Sequence, residues 1–306
     1  MRIGLKVKVE TLRGTLEGVP NLLRLFERHE IQATFLFSLG PDNTGRALRR
    51  IFRPGFFAKG RLASVVSYYG IRTLLNGTLL PSPDIGRRGA RILREVRAAG
   101  HEVGIQSYDH VRWQDLVARR DRAWTRAELT LASEAFQRIF EEPARVHGAA
   151  GWQLNDFVPA LEAELGIQYA SDTRGRHPFV PVVAGATRAC PQMPTTLPTL
   201  DELMNQPEIR DHELHQVLYQ CSRELAPSAH VFALHAELEG MRLQPVLERL
   251  LIMWQSAGDE LVSLRDIAAG LDLTRLPRHR IAWGELPGRA GRLALQGAAT
   301  GEEGAR

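Results

Sequence analysis

Carboxylates, imidazoles and guanidinium groups recur in this chain directly after short apolar runs. The run Ile3–Val9 is followed by Glu10, Thr11 and Arg13, with Lys8 two residues before Glu10. After His101–Gln106 come Ser107, Tyr108, Asp109 and His110. After Val146 comes GAAGWQ, with Trp152 and Gln153. Ile167–Ala170 leads into SDTRG, with Asp172 and Arg174, and Val231–Leu234 leads into His235, Glu237 and Glu239. A carboxylate with an imidazole can hold a divalent cation. A histidine can pass a proton near neutral pH, and a guanidinium fork suits a phosphate or carboxylate. Any one cluster reads equally well as a solvated loop. Five together read as a site if the runs before them are parallel strands with their ends on one side.

The elements support that condition. Strands are expected at Ile3–Val9, Ala33–Leu39, His101–Gln106, near Val146, Ile167–Ala170, Gln192–Thr195, Val231–His235 and Glu260–Ser263. Helical spacing runs through Val19–His29 and through Ile85–Ala99, which Gly100 ends. A third helix is expected over Thr125–Glu142, with Thr125 and Glu128 as a capping box. Alternating β and α units predict an α/β fold with a parallel sheet, and about seven units favour a distorted (β/α) barrel. In such barrels chemistry gathers at the C-terminal strand ends. Lys8 and Glu10, two residues apart, then share one strand face.

Composition narrows the rest. At 306 residues, with 44% hydrophobic and 24% charged residues, the chain is an ordinary globular one rather than a disordered or fibrous one. Its two cysteines, Cys190 and Cys221, cannot form a disulfide framework or a four-cysteine zinc site, so a reducing compartment is the expectation and Cys190 reads as an inert thiol. No run approaches 18 apolar residues, and MRIGLKVKVE lacks the apolar core of a signal peptide. His147 and His177 show no ligand spacing and read as structural. Residues 43–83 contain no Asp or Glu and interleave Arg46, Arg53 and Arg61 with Phe52, Phe56 and Tyr68. That pattern predicts a basic, aromatic insertion facing an anionic membrane surface. No nucleic-acid-binding module is recognisable. We expect one domain over residues 1–275 and a Gly/Ala/Arg-rich tail over 276–306, partly disordered.

The ordered set formed by Gly4 to Thr15, IQATFLFSLGPDN, HEVGIQSYDH, AAGWQ, YASDTRG and LHAELEG resembles the polysaccharide deacetylase family over roughly Ile3 to Ala268. Within that family it is most similar to the deformylases of 4-deoxy-4-formamido-L-arabinose-phosphoundecaprenol. The resemblance implies a metal-dependent hydrolase acting on the formamide of an undecaprenyl-phosphate-linked aminosugar in lipid A modification, at the cytoplasmic face of the bacterial inner membrane. It implies a divalent metal, zinc by expectation, at the positions of Glu10, Gln106 and His110. It places the catalytic base at Lys8, the acid at His235 and a supporting carboxylate at Asp172, and substrate contacts at Arg13, Arg174, Trp152 and Gln153. The family carries aspartates where this chain has Lys8 and Glu10, a histidine at Gln106 and an arginine at Gln153. A protonated lysine cannot accept a proton from water, and it repels a neighbouring cation. An ion pair of Lys8 with Glu10, its ammonium in the metal's place, is therefore one expectation. A catalytically silent relative that binds lipid-linked sugar phosphate without hydrolysis is the alternative function.

Overall fold

The computed structural model describes residues 1–51, 70–224 and 229–300. The strands are Arg2–Val9 (β1), Thr34–Ser38 (β2), Glu102–Ser107 (β3), Val146–His147 (β4), Tyr169–Ala170 (β5), Val180–Pro181 (β6), Ala229–His235 (β7), Glu260–Val262 (β8), Arg278–Gly284 (β9) and Leu293–Ala299 (β10). Seven of them form one sheet in the order β5-β4-β3-β2-β1-β7, with β8 paired to β1, and every pairing within it is parallel. This is the predicted α/β architecture. β1 pairs with three neighbouring strands. One edge pairs with β7 along Arg2–Lys8; the rest of its pairing is with β8 at Arg2–Gly4 and with β2 at Lys6–Val9.

Alternation along the strands sorts the side chains into two layers. Ile3, Leu5, Val7 and Val9 of β1 join Phe35, Phe37, Val103, Ile105, Phe232 and Leu234 in the main core, against Leu22, Leu25 and Phe26 of the helix Val19–Arg28. The opposite face of the same strands carries Lys6, Lys8, Thr34, Glu102 and Gln106, all buried. Polar groups on that face are paired, as burial requires. Glu102 accepts from Thr34 Oγ1 and from Tyr169 Oη, both at 2.6 Å. Lys6 Nζ donates to the Ser171 carbonyl and hydroxyl at 2.9 Å each. Gly4 and Gly104 leave room for this filling: a Cβ on Gly104 would lie 2.4 Å from Val146 Cγ1 and 2.5 Å from its carbonyl oxygen.

The structure departs from three sequence expectations. Gln192–Thr195 is extended but makes only isolated bridges, to Ala170, Arg174 and Phe179. Pro191 and Pro194 remove two of the amide donors that a regular strand needs. The segment instead spans from β5 to β7: Met193 N donates to Ala170 O at 2.7 Å, and Thr196 N donates to Val231 O at 3.0 Å. The third long helix begins at Arg122, and Asp121 caps it by accepting from Trp124 N. Thr125 lies inside that helix, its hydroxyl on the Asp121 carbonyl. Finally, much of the tail is structured. β9 and β10 pair antiparallel, and β9 runs parallel to β6. Leu293 and Ala294 are fully buried, and Arg174 exchanges backbone hydrogen bonds with Ala294 and Gln296. A short apolar strand seated on the loop after β5 is a better account of these residues than composition alone. Residues 301–306 lie outside the described residues, as do residues 52–69, which hold most of the basic and aromatic side chains of the 43–83 segment.

Candidate active site

Strand register assembles the first cluster. Lys8 on β1 is directly paired with His235 on β7, and both point to the inner face at the C-terminal end of the sheet. Lys8 Nζ lies 3.3 Å from His235 Nε2 and 3.4 Å from Glu10 Oε1. The same ammonium sits 4.5 Å from the centre of the Trp152 ring, a distance at which a cation is attracted to an aromatic face. Gln106, from the end of β3, donates its amide Nε2 to Glu10 Oε1 at 2.6 Å. His110 opens the next helix, with Asp109 capping it through Val111 N and Arg112 N, and Asn43 Nδ2 holds Asp109 at 2.6 Å.

The turn that carries Glu10 is fixed by one carboxylate. Glu237 Oε1 accepts from Glu10 N at 2.9 Å, Thr11 N at 2.8 Å and Thr11 Oγ1 at 2.9 Å. Gly14 is required beside it, since a Cβ there would meet Glu237 Oε1 at 2.2 Å. Trp152 is presented by a left-handed pair, Gly151 at φ 66° and Trp152 at φ 54°. The indole Nε1 donates to Thr195 Oγ1 at 3.2 Å. Left-handed backbone at a tryptophan is uncommon and marks a position held by its surroundings.

Electrostatics follow from the geometry. Burial pushes the Glu10 carboxyl up, but the Lys8 charge above all, with His110 and the Gln106 hydrogen bond, more than reverses this and leaves it well below the ordinary carboxylate range. Burial, then the Lys8 charge, pushes His235 down, so its imidazole is neutral with Nε2 facing Lys8 and Nδ1 facing Asp201 Oδ1 at 3.9 Å. Burial pushes Glu237 up to about 7, helped by the Glu10 charge, and Glu239 up to about 8. Glu239 Oε2 accepts from His235 N at 2.8 Å.

Arg174 lies at the edge of this cluster. Its guanidinium grips Glu202 with both Nη1 contacts at 2.7 and 2.9 Å, donates to Leu197 O at 2.8 Å, and lies 5.1 Å from the Trp152 ring centre. Arg289, from the segment between β9 and β10, lies 4.5 Å from the same ring. Arg13 is half-exposed and paired with Glu17 at 3.1 Å. Gln153 turns away: its amide donates to Arg292 O at 2.7 Å.

Asp172 belongs to a second cluster, not to the first. Ala149 N and Gln192 Nε2 donate to it at 2.7 and 2.9 Å. His147 Nδ1 lies 3.2 Å from Asp172 Oδ1 and 2.5 Å from Glu162 Oε1. His147 opposes burial by its two carboxylates and is pushed up to about 10. Burial and the Asp172 charge push Glu162 up to about 8. These three residues are the one group among the described residues whose ligand atoms, all within 4.8 Å, could hold a metal ion.

The structure thus brings Lys8, Glu10, Gln106, His110 and His235 together with Trp152 and Arg174, and leaves Asp172, Arg13 and Gln153 apart. Sequence reading gave no role to five participants. Glu237 and Glu239 stood in the strand-end list without a role. Arg289 sat in the tail, with no pattern to mark it. His147 and Glu162, fifteen residues apart on a strand and a helix, match no motif spacing.

A divalent ion does not fit the first cluster. A ligating Gln106 would offer its carbonyl oxygen. Here a 2.6 Å contact with a carboxylate requires the NH2 at that position, because two acceptor oxygens would repel. The ammonium of Lys8 already takes the Glu10 oxygen and the His235 nitrogen that a cation would seek.

Known proteins locate this arrangement. The model of the polysaccharide deacetylase family matches residues 13–170, and the chain belongs to that family. It is 34% identical over 296 residues, 96% of this chain and 94% of the other, to a protein of Shewanella sediminis named as a 4-deoxy-4-formamido-L-arabinose-phosphoundecaprenol deformylase. A protein of the same name from Wigglesworthia glossinidia brevipalpis is 30% identical over 286 residues, 92% of this chain and 98% of the other. A crystal structure from Mycobacterium smegmatis, described as a polysaccharide deacetylase, shares the fold with a TM-score of 0.62 at 18% identity, covering 92% of this chain and 95% of the other. The chain is of the deacetylase and deformylase type of hydrolase. No helix among the described residues is long and apolar enough to cross a membrane.

Proposed function

We propose that the protein hydrolyses the formamide of a 4-deoxy-4-formamido-arabinose carried on undecaprenyl phosphate, releasing formate and the free amine. Likeness along almost the whole chain to two deformylases supports this reading and carries it. His235, at the C-terminal strand ends, is neutral, so it would first take a proton from the attacking water and then, as imidazolium, give it to the departing nitrogen. Trp152 is buried with Lys8, Arg174 and Arg289 against its ring, so it would act by positioning these cations and not by touching the sugar. Arg13 and the basic residues of 43–83 would meet the phosphate at an anionic membrane surface, on the cytoplasmic face of the inner membrane. Exposure of Ile71 at 67% and Leu79 at 81% supports a peripheral contact there. Asp172 acts at one remove, by holding the loop after β4 through Ala149 N.

One observation favours a second reading, binding of the lipid-linked sugar without hydrolysis. The base position is a lysine whose ammonium is engaged with Glu10, and such a group takes no proton from water. The full-length protein should be mixed with the formamido-sugar undecaprenyl phosphate in detergent micelles, with formate release and retention of the lipid both measured. Formate release that falls about 100-fold in His235→Ala supports the first reading. Retention without formate moves the assignment to the second. Neither release nor retention ends both.

A further inference from the structure

We infer that this chain has exchanged the divalent cation of its family for a cation of its own, the Lys8 ammonium, which stands among the same donor groups and leaves the strand-end site metal-free. Three observations carry the inference. The first is where the ammonium lies. It is within 3.4 Å of a carboxylate oxygen and 3.3 Å of an imidazole nitrogen, and over the Trp152 ring at 4.5 Å. A carboxylate oxygen and an imidazole nitrogen are metal-ligand types, and here a side chain of the protein occupies both. The second is Gln106. Its NH2 is committed to Glu10, and its carbonyl oxygen is buried without a partner. The amide has the sense that serves an ammonium-carboxylate pair and not the sense that serves a metal. The third is position: Lys8 is buried at 3% exposure and paired in register with His235, so its ammonium is enclosed at the strand ends among these groups.

The exchange changes what the site can do. An ammonium carries a single charge and three hydrogens. It can bind a carbonyl or anionic oxygen by hydrogen bonding. It does not bring water into an acidic range as a divalent ion does. The oxygen that Lys8 would meet is the formamide oxygen, a choice of ligand that rests on the proposed substrate. The exchange itself does not depend on that reading and is tested without substrate.

Purified full-length protein, stripped with a chelator, should be titrated with zinc and with cobalt(II) by calorimetry, with bound metal counted by elemental analysis. The variant Lys8→Asp/Glu10→Asp/Gln106→His should be titrated alongside, with its melting curve recorded. We expect no stoichiometric uptake at the wild-type site. The triple variant should take up one equivalent at least about 100-fold more tightly, the scale on which changes around a metal act. One equivalent in the wild type, lost in Glu10→Ala or His110→Ala, overturns the inference. A folded triple variant that binds nothing overturns it too, because the positions would then not form a metal position. If the triple variant does not fold, the lysine Nζ resonances of the wild type decide. A slowly exchanging ammonium signal that disappears in Lys8→Met supports the inference, and its absence from the wild type overturns it. Failure of the formate assay alone would leave these results untouched, so the two readings fail separately.

Discussion

Two buried polar clusters lie in the same fold, and they are built on opposite charge logic. At the strand ends, a single carboxylate, Glu10, is surrounded by an ammonium, an amide NH2 and two imidazoles. Behind the loop after β4, a single imidazole, His147, is held between two carboxylates. The first cluster is rich in positive charge and drives its carboxylate to stay ionised. The second is rich in negative charge and holds protons, with Glu162 pushed up to about 8 and His147 up to about 10. A further cation would meet the Lys8 ammonium at the first cluster and the His147 imidazolium at the second. The comparison shows that one fold can hold buried polar clusters of either sense. It also separates tasks: the second cluster is wholly buried and braces the structure, while the first lies where a substrate would arrive.

The sharpest way to break this contrast is to remove each central group in turn. His147→Ala leaves Asp172 and Glu162 facing each other with no imidazole between them. Breaking a buried charged pair from one side costs about 3–5 kcal/mol, and urea denaturation should show a loss of that size. A loss under 1 kcal/mol would mean that His147 is not what holds the two carboxylates.

Acidity gives the second prediction. Glu162 and His147 both bind their protons more tightly in the fold than in the unfolded chain, where they titrate near 4.5 and 6.5. Groups raised in this way contribute stability that is complete below the unfolded value and lost as pH rises through the folded one. For Glu162 that window runs from about 4.5 to about 8, and for His147 from about 6.5 to about 10. Asp172 is shifted down, chiefly by His147 acting against burial, so its contribution has the other sense and is lost in acid. Stability should therefore fall steadily from mildly acid to alkaline pH, by at most about 1.4 kcal/mol per pH unit for each proton held, and the melting temperature with it. Glu162→Gln, which cannot ionise, should flatten the lower part of that decline and leave the part above about pH 8. An unchanged slope would show that the shared proton is elsewhere.

The contrast between the clusters also marks what could be read from residues alone. The period of two in Ile3–Glu10 put Lys8 and Glu10 on one face, and the β-α alternation put Gln106, His110, Trp152 and His235 at neighbouring strand ends. These are local signals, one per segment, and the structure assembles them. The second cluster has no such signal. His147 meets Glu162 across a strand and a helix, and Asp172 joins from the loop after β5, so their partnership exists only once three segments have packed. Gln153 shows the same limit. Its place beside Trp152 made it a neighbour of the site, but the left-handed turn at Gly151 and Trp152 sends its amide toward Arg292. The tail was opaque for a third reason: a strand rich in Gly and Ala has little hydrophobic pattern, and Leu293 and Ala294 become buried only against Trp152, Trp113 and their neighbours.

Removing the ammonium tests the first cluster. Lys8→Met keeps the length of the side chain and leaves Glu10 with Gln106 as its hydrogen-bond donor. The loss should be about 1–3 kcal/mol, the cost of a buried polar group deprived of one partner, and smaller than that of His147→Ala. If Lys8→Met proves the more costly change, the strand-end cluster is the structural brace, and the assignment of tasks between the two clusters is reversed.

The smallest expected effect sharpens the boundary of the site. Gln153 follows Trp152 in the chain, yet its amide is spent on the Arg292 carbonyl at 2.7 Å and takes no part in either cluster. Gln153→Ala should change stability by about 0.5 kcal/mol or less, as for a partly exposed side chain away from any network, and should leave retention of the lipid-linked sugar unchanged. Gln153→Arg is the informative partner. An arginine there would add a positive charge next to Trp152 in the chain. Stronger retention in Gln153→Arg with no change in Gln153→Ala would mean that the site gains from a charge there and that Gln153 itself supplies no contact. Weaker retention in Gln153→Ala would place Gln153 inside the binding surface, and the boundary drawn around Lys8, Glu10, His235 and Trp152 would have to move outward to include it.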